Sequence, residues 1–303
     1  MIRDVDRYQE AFEQHGIKVV CPEVTQHLEG DHLIEALHGA VGVIAGDDVF
    51  DTYVLDRCPD LRAIAKWGVG VDGIDSDAAR ERGIVVTNTP GMFDDEVADV
   101  CIGYMVLLAR ELHRIDKAVR EGRWYKPVGR SLAALTCGVV GLGNIGRQVG
   151  RRCTAMGMTV LGSDPDPESC AEAKRLGIDV LPLDDLLAAS DVLSLNCPLN
   201  DSTRHLLDRG KFQLVRNGML LVNTSRGGVI DEEALVDALE TGRVSGAALD
   251  VFEQEPFDPS SPLAQFEQVI LGSHNASNTV EASLRTHERA LDNLLMSLDI
   301  ISS

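Results

Sequence analysis

Short apolar runs recur along the first third of the chain, at residues 17–21 (IKVVC), 41–45 (VGVIA), 61–65 (LRAIA) and 84–87 (IVVT). Segments of mixed polarity such as DHLIEALHG and DSDAARERG separate them. The beat resumes further on in CGVVGLG, MTVLGSD, DVLSLNCP, MLLVNTS, SGAALDVF and QVILGSH. Apolar strands alternating with helix-like stretches predict parallel sheets covered on both faces, so both halves of the chain are expected to be α/β. Between the two series, residues 92–121 read as one long helical stretch, followed by the loop-like GRWYKPVG, and a domain boundary falls near this helix. The tail after Ser277 carries apolar residues at helical spacing and is expected to cross back to the first domain.

Length agrees with that division, because 303 residues exceed the comfortable size of one hydrophobic core and point to about two domains. The most apolar segment, VADVCIGYMVLLAR, holds an aspartate, ends in arginine and falls short of the roughly 20 apolar residues that a bilayer crossing needs. It reads as a buried helix. The charged start, MIRDVDRYQEAFEQ, lacks a signal-peptide core, which leaves the cytoplasm as the expected location. Seven cysteines without a CxxC pair suit reduced thiols and give no zinc pattern, so no metal is expected. A net charge of −20 opposes both nucleic acid and anionic membranes as partners. An anionic substrate would need a locally positive pocket in this field, which directs attention to arginines in loops.

Chemistry enters with CGVVGLGNIGRQVG, where Gly141, Gly143 and Gly146 form GxGxxG directly after a predicted strand and at the opening of a helix. Gly141 permits the tight turn, Gly143 lets the backbone approach a pyrophosphate, and Gly146 lets the helix pack on the sheet. Helix-start amides then favour the phosphate charge. Alone, the pattern is also compatible with a plain structural turn. The next strand, however, ends in Asp164 about 20 residues on, where a carboxylate can accept hydrogen bonds from ribose hydroxyls. Asp164 would repel the extra phosphate of NADP, and the DPDP that it opens supplies no arginine, so NAD is the expected cofactor.

Further stretches accompany the glycine loop: KWGVGVDGID at 66–75, VTNTPG at 86–91, NTSRGGVIDEEAL at 223–235 and ALDVFEQEP at 248–256. With these the chain resembles, over nearly its whole length, the D-isomer-specific 2-hydroxyacid dehydrogenase family, most closely its phosphoglycerate dehydrogenase type. The resemblance implies a flavodoxin-like substrate domain made from both chain ends, residues 1–91 with 277–303. It also implies an inserted NAD-binding Rossmann domain at 92–276, which includes a dimerisation helix, and a cleft between the two domains. Its catalytic trio falls on Arg226, Glu255 and His274, for reversible hydride transfer between NADH and a 2-oxo acid of the 3-phosphoglycerate or hydroxypyruvate type. Taken alone, Arg226 also reads as a surface arginine, Glu255 as a solvated carboxylate and His274 as a structural histidine.

The chemistry wants such a set. A 2-oxo acid receiving hydride builds negative charge on its carbonyl oxygen, and a nearby acid must protonate it. Glu255 can hold the imidazole of His274 in one tautomer and favour its charged form. Arg226 offers a planar fork to carboxylate and carbonyl oxygens. By position in the family motifs, the amides of Val69 and Gly70 would seat the substrate carboxylate, while Arg226 and His274 contact the same substrate. Asn144 and Ile145 would lie at the pyrophosphate. Cys197 and Pro198 would pack near the adenosine, with Thr224 and Ser225 on the far side, and Asp250 would contact the nicotinamide carboxamide.

Departures from the pattern bear on the substrate. Ser273 precedes the histidine where many relatives have proline. The loop AGDDVFD carries Asp47 and Asp48 where phosphoglycerate-type relatives often place an arginine, and Lys66 is the main nearby cation. Two readings stay open: the aspartates repel a distal phosphate and the substrate is an unphosphorylated acid such as glyoxylate or hydroxypyruvate, or they merely cap the following helix. A reading of another class is an NADH-sensing corepressor-like binding protein, for which no long tail or apolar surface cluster is evident. The resemblance also implies a homodimer through the central helices, with Trp124 at the interface.

Overall fold

The computed structural model describes residues 7–24 and 27–300. The chain divides into two compact units, residues 1–92 with 278–303, and residues 93–277. In the first, β1 (Gly42–Ala45), β2 (Ala63–Lys66) and β3 (Val85–Thr87) form a parallel sheet in that order. Leu33, Phe50, Val54, Leu55 and Ile64 build its core. The tail forms the helix Val280–Ser297, which packs on all three strands. Gly42 permits this approach, since a Cβ there would lie 2.8 Å from a methyl of Leu294.

The second unit is built on seven parallel strands: β4 (Thr136–Val140), β5 (Thr159–Ser163), β6 (Asp179–Val180), β7 (Val192–Leu195), β8 (Met219–Asn223), β9 (Val244–Leu249) and β10 (Val269–Leu271). Their spatial order is β10-β9-β8-β7-β4-β5-β6, so the direction of winding reverses between β4 and β7. In open α/β sheets ligands bind outside the strand ends at such a switch point, and here the glycine loop leaves β4 at that place. Every residue of β7 and β8 is buried, because helices cover both faces and the strands have no polar side to show. Leu186, Phe212 and Leu235 from those helices close on Leu193, Leu195 and Leu221.

Two local expectations are corrected and one open reading is removed. Residues 17–21 form no strand: Ile17 packs beside Phe12 and Leu291, but Val20 is 68% exposed, and β-branched residues without burial or a ladder partner do not make a strand. The stretch 92–121 is two helices, Asp94–Arg110 and Leu112–Arg120, broken where Glu111 turns left-handed at φ 53°. The break is held by the Glu111 carboxylate, which pairs with Arg114 at 2.6 Å and accepts from the Tyr125 hydroxyl at 2.9 Å. Neither Asp47 nor Asp48 caps the helix Thr52–Leu55; Asp51 does, accepting from the Val54 amide at 2.9 Å.

Candidate active site

The glycine loop is fixed by close main-chain packing. Gly141 sits at φ 87°, and a Cβ there would meet the main chain of Asn196 and Cys197 at 2.7 Å. A Cβ on Gly146 would lie 1.9 Å from the carbonyl oxygen of Gly141, whereas a Cβ on Gly143 would meet nothing within 4 Å. Two glycines are therefore forced by the fold, and the third faces open space, as a pyrophosphate-binding backbone requires. The helix that follows, Asn144–Ala155, starts without a side-chain cap, which leaves its first amides to an anion. Asn144 is exposed and Ile145 half-buried at this helix start.

Asp164 directly follows β5 and binds back to the loop. Its Oδ2 accepts from the Leu142 amide at 2.6 Å and its Oδ1 from the Asp166 amide at 2.8 Å. Each carboxylate oxygen has a second lone pair for a ribose hydroxyl. The nearby Arg147 donates to the Leu142 carbonyl and Asn144 Oδ1, each at 2.8 Å, and pairs with Glu172 at 3.2 Å. These residues fit NAD and commit the nearby guanidinium to protein partners. Cys197 is buried and Pro198 exposed after β7, and burial pushes the Cys197 thiol up to about 11.

After β8, the buried Asn223 shapes the turn that carries Arg226. Its Oδ1 accepts from the amide and hydroxyl of Ser225 at 3.0 and 2.8 Å, and its Nδ2 donates to the Arg226 carbonyl at 3.0 Å. Arg226 is half-buried, and its Nη1 donates to the Ser225 carbonyl at 2.8 Å. Thr224 Oγ1 lies 3.1 Å from the sulfur of Cys101, whose thiol burial pushes up to about 11. A Cβ on Gly227 would lie 1.8 Å from the carbonyl carbon of Phe252, so only glycine lets the arginine turn touch the segment that carries Glu255.

That segment brings Glu255 to His274. Glu255 Oε1 accepts from the Phe252 amide at 3.0 Å, and the other oxygen lies 2.7 Å from His274 Nδ1. Both side chains are a quarter exposed or less. His274 has a left-handed backbone at φ 53°, and its amide donates to the Asp250 carbonyl at 2.7 Å. Asp250 is buried. Its Oδ2 accepts from the Ala276 amide at 2.8 Å, and the Tyr104 hydroxyl lies 3.4 Å from its Oδ1. Burial, reinforced by the Asp250 charge, raises the Tyr104 phenol above its ordinary value.

In the first unit, Lys66 closes β2 as a buried lysine. It reaches the Gly46 carbonyl and pairs with Asp47 at 2.8 Å. Asp48 is spent on the backbone, accepting from the Leu28 and Gly46 amides at 2.8 and 2.9 Å. Val69 is exposed and Gly70 half-buried in the loop that follows. Asn88 holds this loop by donating to the Val69 carbonyl at 2.7 Å, and the Thr89 hydroxyl accepts from the Gly68 amide at 3.0 Å. Asn88, Thr89, Asn223 and Tyr104 carried no assignment from sequence. The first three lie inside the quoted motifs, where turn-forming side chains were the available signal.

Residues 102–276 match the family model described as D-isomer specific 2-hydroxyacid dehydrogenase, NAD binding domain. Hydroxypyruvate reductase from Thermotoga maritima is 36% identical over 92% of this chain and 92% of its own. D-3-phosphoglycerate dehydrogenase from Archaeoglobus fulgidus is 39% identical over 80% of this chain, a match that spans 46% of that longer protein. The crystal structure of a glyoxylate reductase from Paecilomyes thermophila superimposes with a TM-score of 0.85 at 31% identity, over 97% of this chain and 92% of that one. The chain belongs to the D-isomer specific 2-hydroxyacid dehydrogenase family. NAD is its cofactor.

Proposed function

We propose that the chain interconverts a small 2-oxo acid and its D-2-hydroxy acid, and that the acid is unphosphorylated, of the glyoxylate or hydroxypyruvate class. The observation that carries the chemistry is the 2.7 Å contact between His274 and Glu255 in a unit that binds NAD. Bound NADH supplies the hydride. Nδ1–H of His274 points at Glu255, so Nε2 gives the proton to the carbonyl oxygen and takes it back in the reverse direction. Glu255 fixes the tautomer and stabilises the imidazolium. Arg226 grips carboxylate and carbonyl oxygens of the substrate, and the Val69 and Gly70 amides form a carboxylate seat. Asp250 holds the nicotinamide carboxamide, while Cys197, Pro198, Thr224 and Ser225 line the cofactor.

The choice of substrate is supported by Lys66. Its charge is already matched by Asp47, and Asp48 adds a second negative charge next to it, so this cluster offers no net positive charge to a distal phosphate. Relatives carry both kinds of name, hydroxypyruvate and glyoxylate reductase on one side and D-3-phosphoglycerate dehydrogenase on the other, so the choice rests on the Lys66 cluster. Initial rates of NADH oxidation with glyoxylate, hydroxypyruvate and phosphohydroxypyruvate test it. The expected outcome is kcat/KM at least about ten-fold higher for an unphosphorylated acid, a difference of about 1.4 kcal/mol in transition-state binding. The opposite ranking would make the enzyme one of the 3-phosphoglycerate type. Tight NADH binding without turnover of any of the three would favour the corepressor-like reading.

A further inference from the structure

Beside the proposed acid lies a second histidine–carboxylate pair that the reaction does not use. His205 Nε2 meets a carboxylate oxygen of Glu253, two residues before Glu255. The backbone of His205 is left-handed at φ 51°, and its amide donates to the Gly228 carbonyl at 2.8 Å. From there the chain runs parallel to the stretch after Arg226. Leu207 bridges Ile230, its amide donates to the Val229 carbonyl at 3.1 Å, and its carbonyl accepts from the Asp231 amide at 3.2 Å. His205 thus holds the arginine turn through its main chain and the glutamate segment through its side chain.

Glu253 is gripped from another direction as well. Its amide donates to Glu232 Oε1 at 2.8 Å, and Glu232 is the first residue of the helix Glu232–Glu240, which follows the arginine turn. Burial raises the Glu232 carboxyl above its ordinary value, and the charges of Glu253 and Glu255 push the same way. Keeping an acidic side chain at this spot therefore has an electrostatic cost, which the hydrogen bond it accepts from the Glu253 amide offsets only in part. The contact of Glu255 with the Phe252 amide is local, spanning three residues, and cannot by itself fix the segment against the rest of the unit. The buried Phe252 and its close approach to Gly227 seat the segment, and the grip on Glu253 adds polar anchors one residue nearer to Glu255.

We infer that His205 and Glu232 are positioning residues: they clamp Glu253 from two sides, hold the Glu255 segment against the arginine turn, and so aim the imidazole of His274. The inference rests on the assignment of Arg226, Glu255 and His274 as the reacting set. Neither positioning residue needs to touch substrate or cofactor. The imidazole of His205 is nearly half exposed, and a polar contact that exposed adds little to stability, so its effect should appear in rate. Small misplacements of catalytic groups cost about a hundred-fold at the extreme.

The test compares His205→Gly, His205→Gln and Glu255→Gln with the wild type, measuring kcat and KM for hydroxypyruvate, KM for NADH, and the thermal midpoint. Glycine removes the imidazole and relaxes the left-handed backbone, so the variant keeps or gains stability. Its kcat is expected to fall about ten-fold or more while KM for NADH stays within about two-fold. Glutamine, whose amide can still reach Glu253, is expected to restore most of that loss. An unchanged kcat in His205→Gly would overturn the clamp, and so would a loss that tracks a lowered thermal midpoint and resists rescue by glutamine. If Glu255→Gln is slow and His205→Gly is not, the clamp alone fails. If Glu255→Gln matches the wild type, the assignment of the reacting set fails with it.

Discussion

Arg226 and Glu255 each depend on one feature of the side chain that a close substitute lacks. Arg226→Lys keeps the charge and loses the planar fork, and is expected to lower kcat/KM for the oxo acid by about a hundred-fold while NADH affinity is unchanged. Steady-state kinetics with cofactor titration checks this; a loss confined to NADH binding would place Arg226 at the cofactor instead. Glu255→Gln keeps the shape and loses the charge that supports the imidazolium, and a fall in kcat of about a hundred-fold is expected from rapid-mixing measurements. At this scale the sequence offered residue types in family positions, and geometry supplied the partners. Glu255 and His274 were legible as a pair because motif and chemistry both named them. Lys66 was legible as a cation, but its neutralisation by Asp47 arises from the fold of two separate segments and has no local signature.

Elements were legible where periodicity and punctuation agreed. The strands that flank the glycine loop are short apolar runs bounded by glycine or aspartate, and they form. The helix break at Glu111 was hidden because glutamate is an ordinary helix former and the turn is held by tertiary partners, Arg114 and Tyr125. β6 was missed because two residues carry too little pattern. Gly146→Ala places a methyl 1.9 Å from the Gly141 carbonyl and is expected to cost about 1–3 kcal/mol of stability, with loss of NADH binding, by denaturation and fluorescence titration. Asp191 ties the start of β7 to β4, accepting from the Thr136 amide at 3.0 Å and pairing with Arg130 and Arg216 at 2.9 and 3.2 Å. Burial alone would raise its carboxyl, but the amide and the two guanidinium groups more than offset that and hold it below the ordinary value. A depressed carboxyl stabilises fully above the unfolded value of about 4 and loses its contribution as pH falls through the lower folded value. Asp191→Asn should therefore cost about 1–3 kcal/mol at neutral pH, with the gap to wild type closing in acid, as urea titrations at several pH values would show.

At the scale of the whole molecule, the net charge of −20 was visible at once, and it should be felt as self-repulsion in the folded state. Raising salt from low ionic strength to about 0.15 M shortens the screening length to about 8 Å and is expected to raise the thermal midpoint. A midpoint that falls with salt would mean that favourable ion pairs outweigh repulsion. Among the described residues no helix is long and apolar enough to cross a membrane. We propose that the chain forms the homodimer that family resemblance implies, on the exposure of Trp124 (83%) and Val128 (99%) in the loop after the helix Leu112–Arg120. Trp124→Asp should shift the sedimentation coefficient toward that of a monomer. α/β architecture was legible because alternation of apolar runs and helical segments is a property of the whole sequence. Which acid enters the site was not, because that turns on a few side-chain pairings.

The role of His274 as the proton donor is tested by NADH-dependent reduction of hydroxypyruvate by the wild-type protein and by His274→Ala, with NADH affinity measured for both. Ready turnover by the wild type, a fall in kcat of about a thousand-fold or more in the variant, and equal NADH affinity are expected. Equal turnover by the two proteins would contradict the assignment of His274 as the acid.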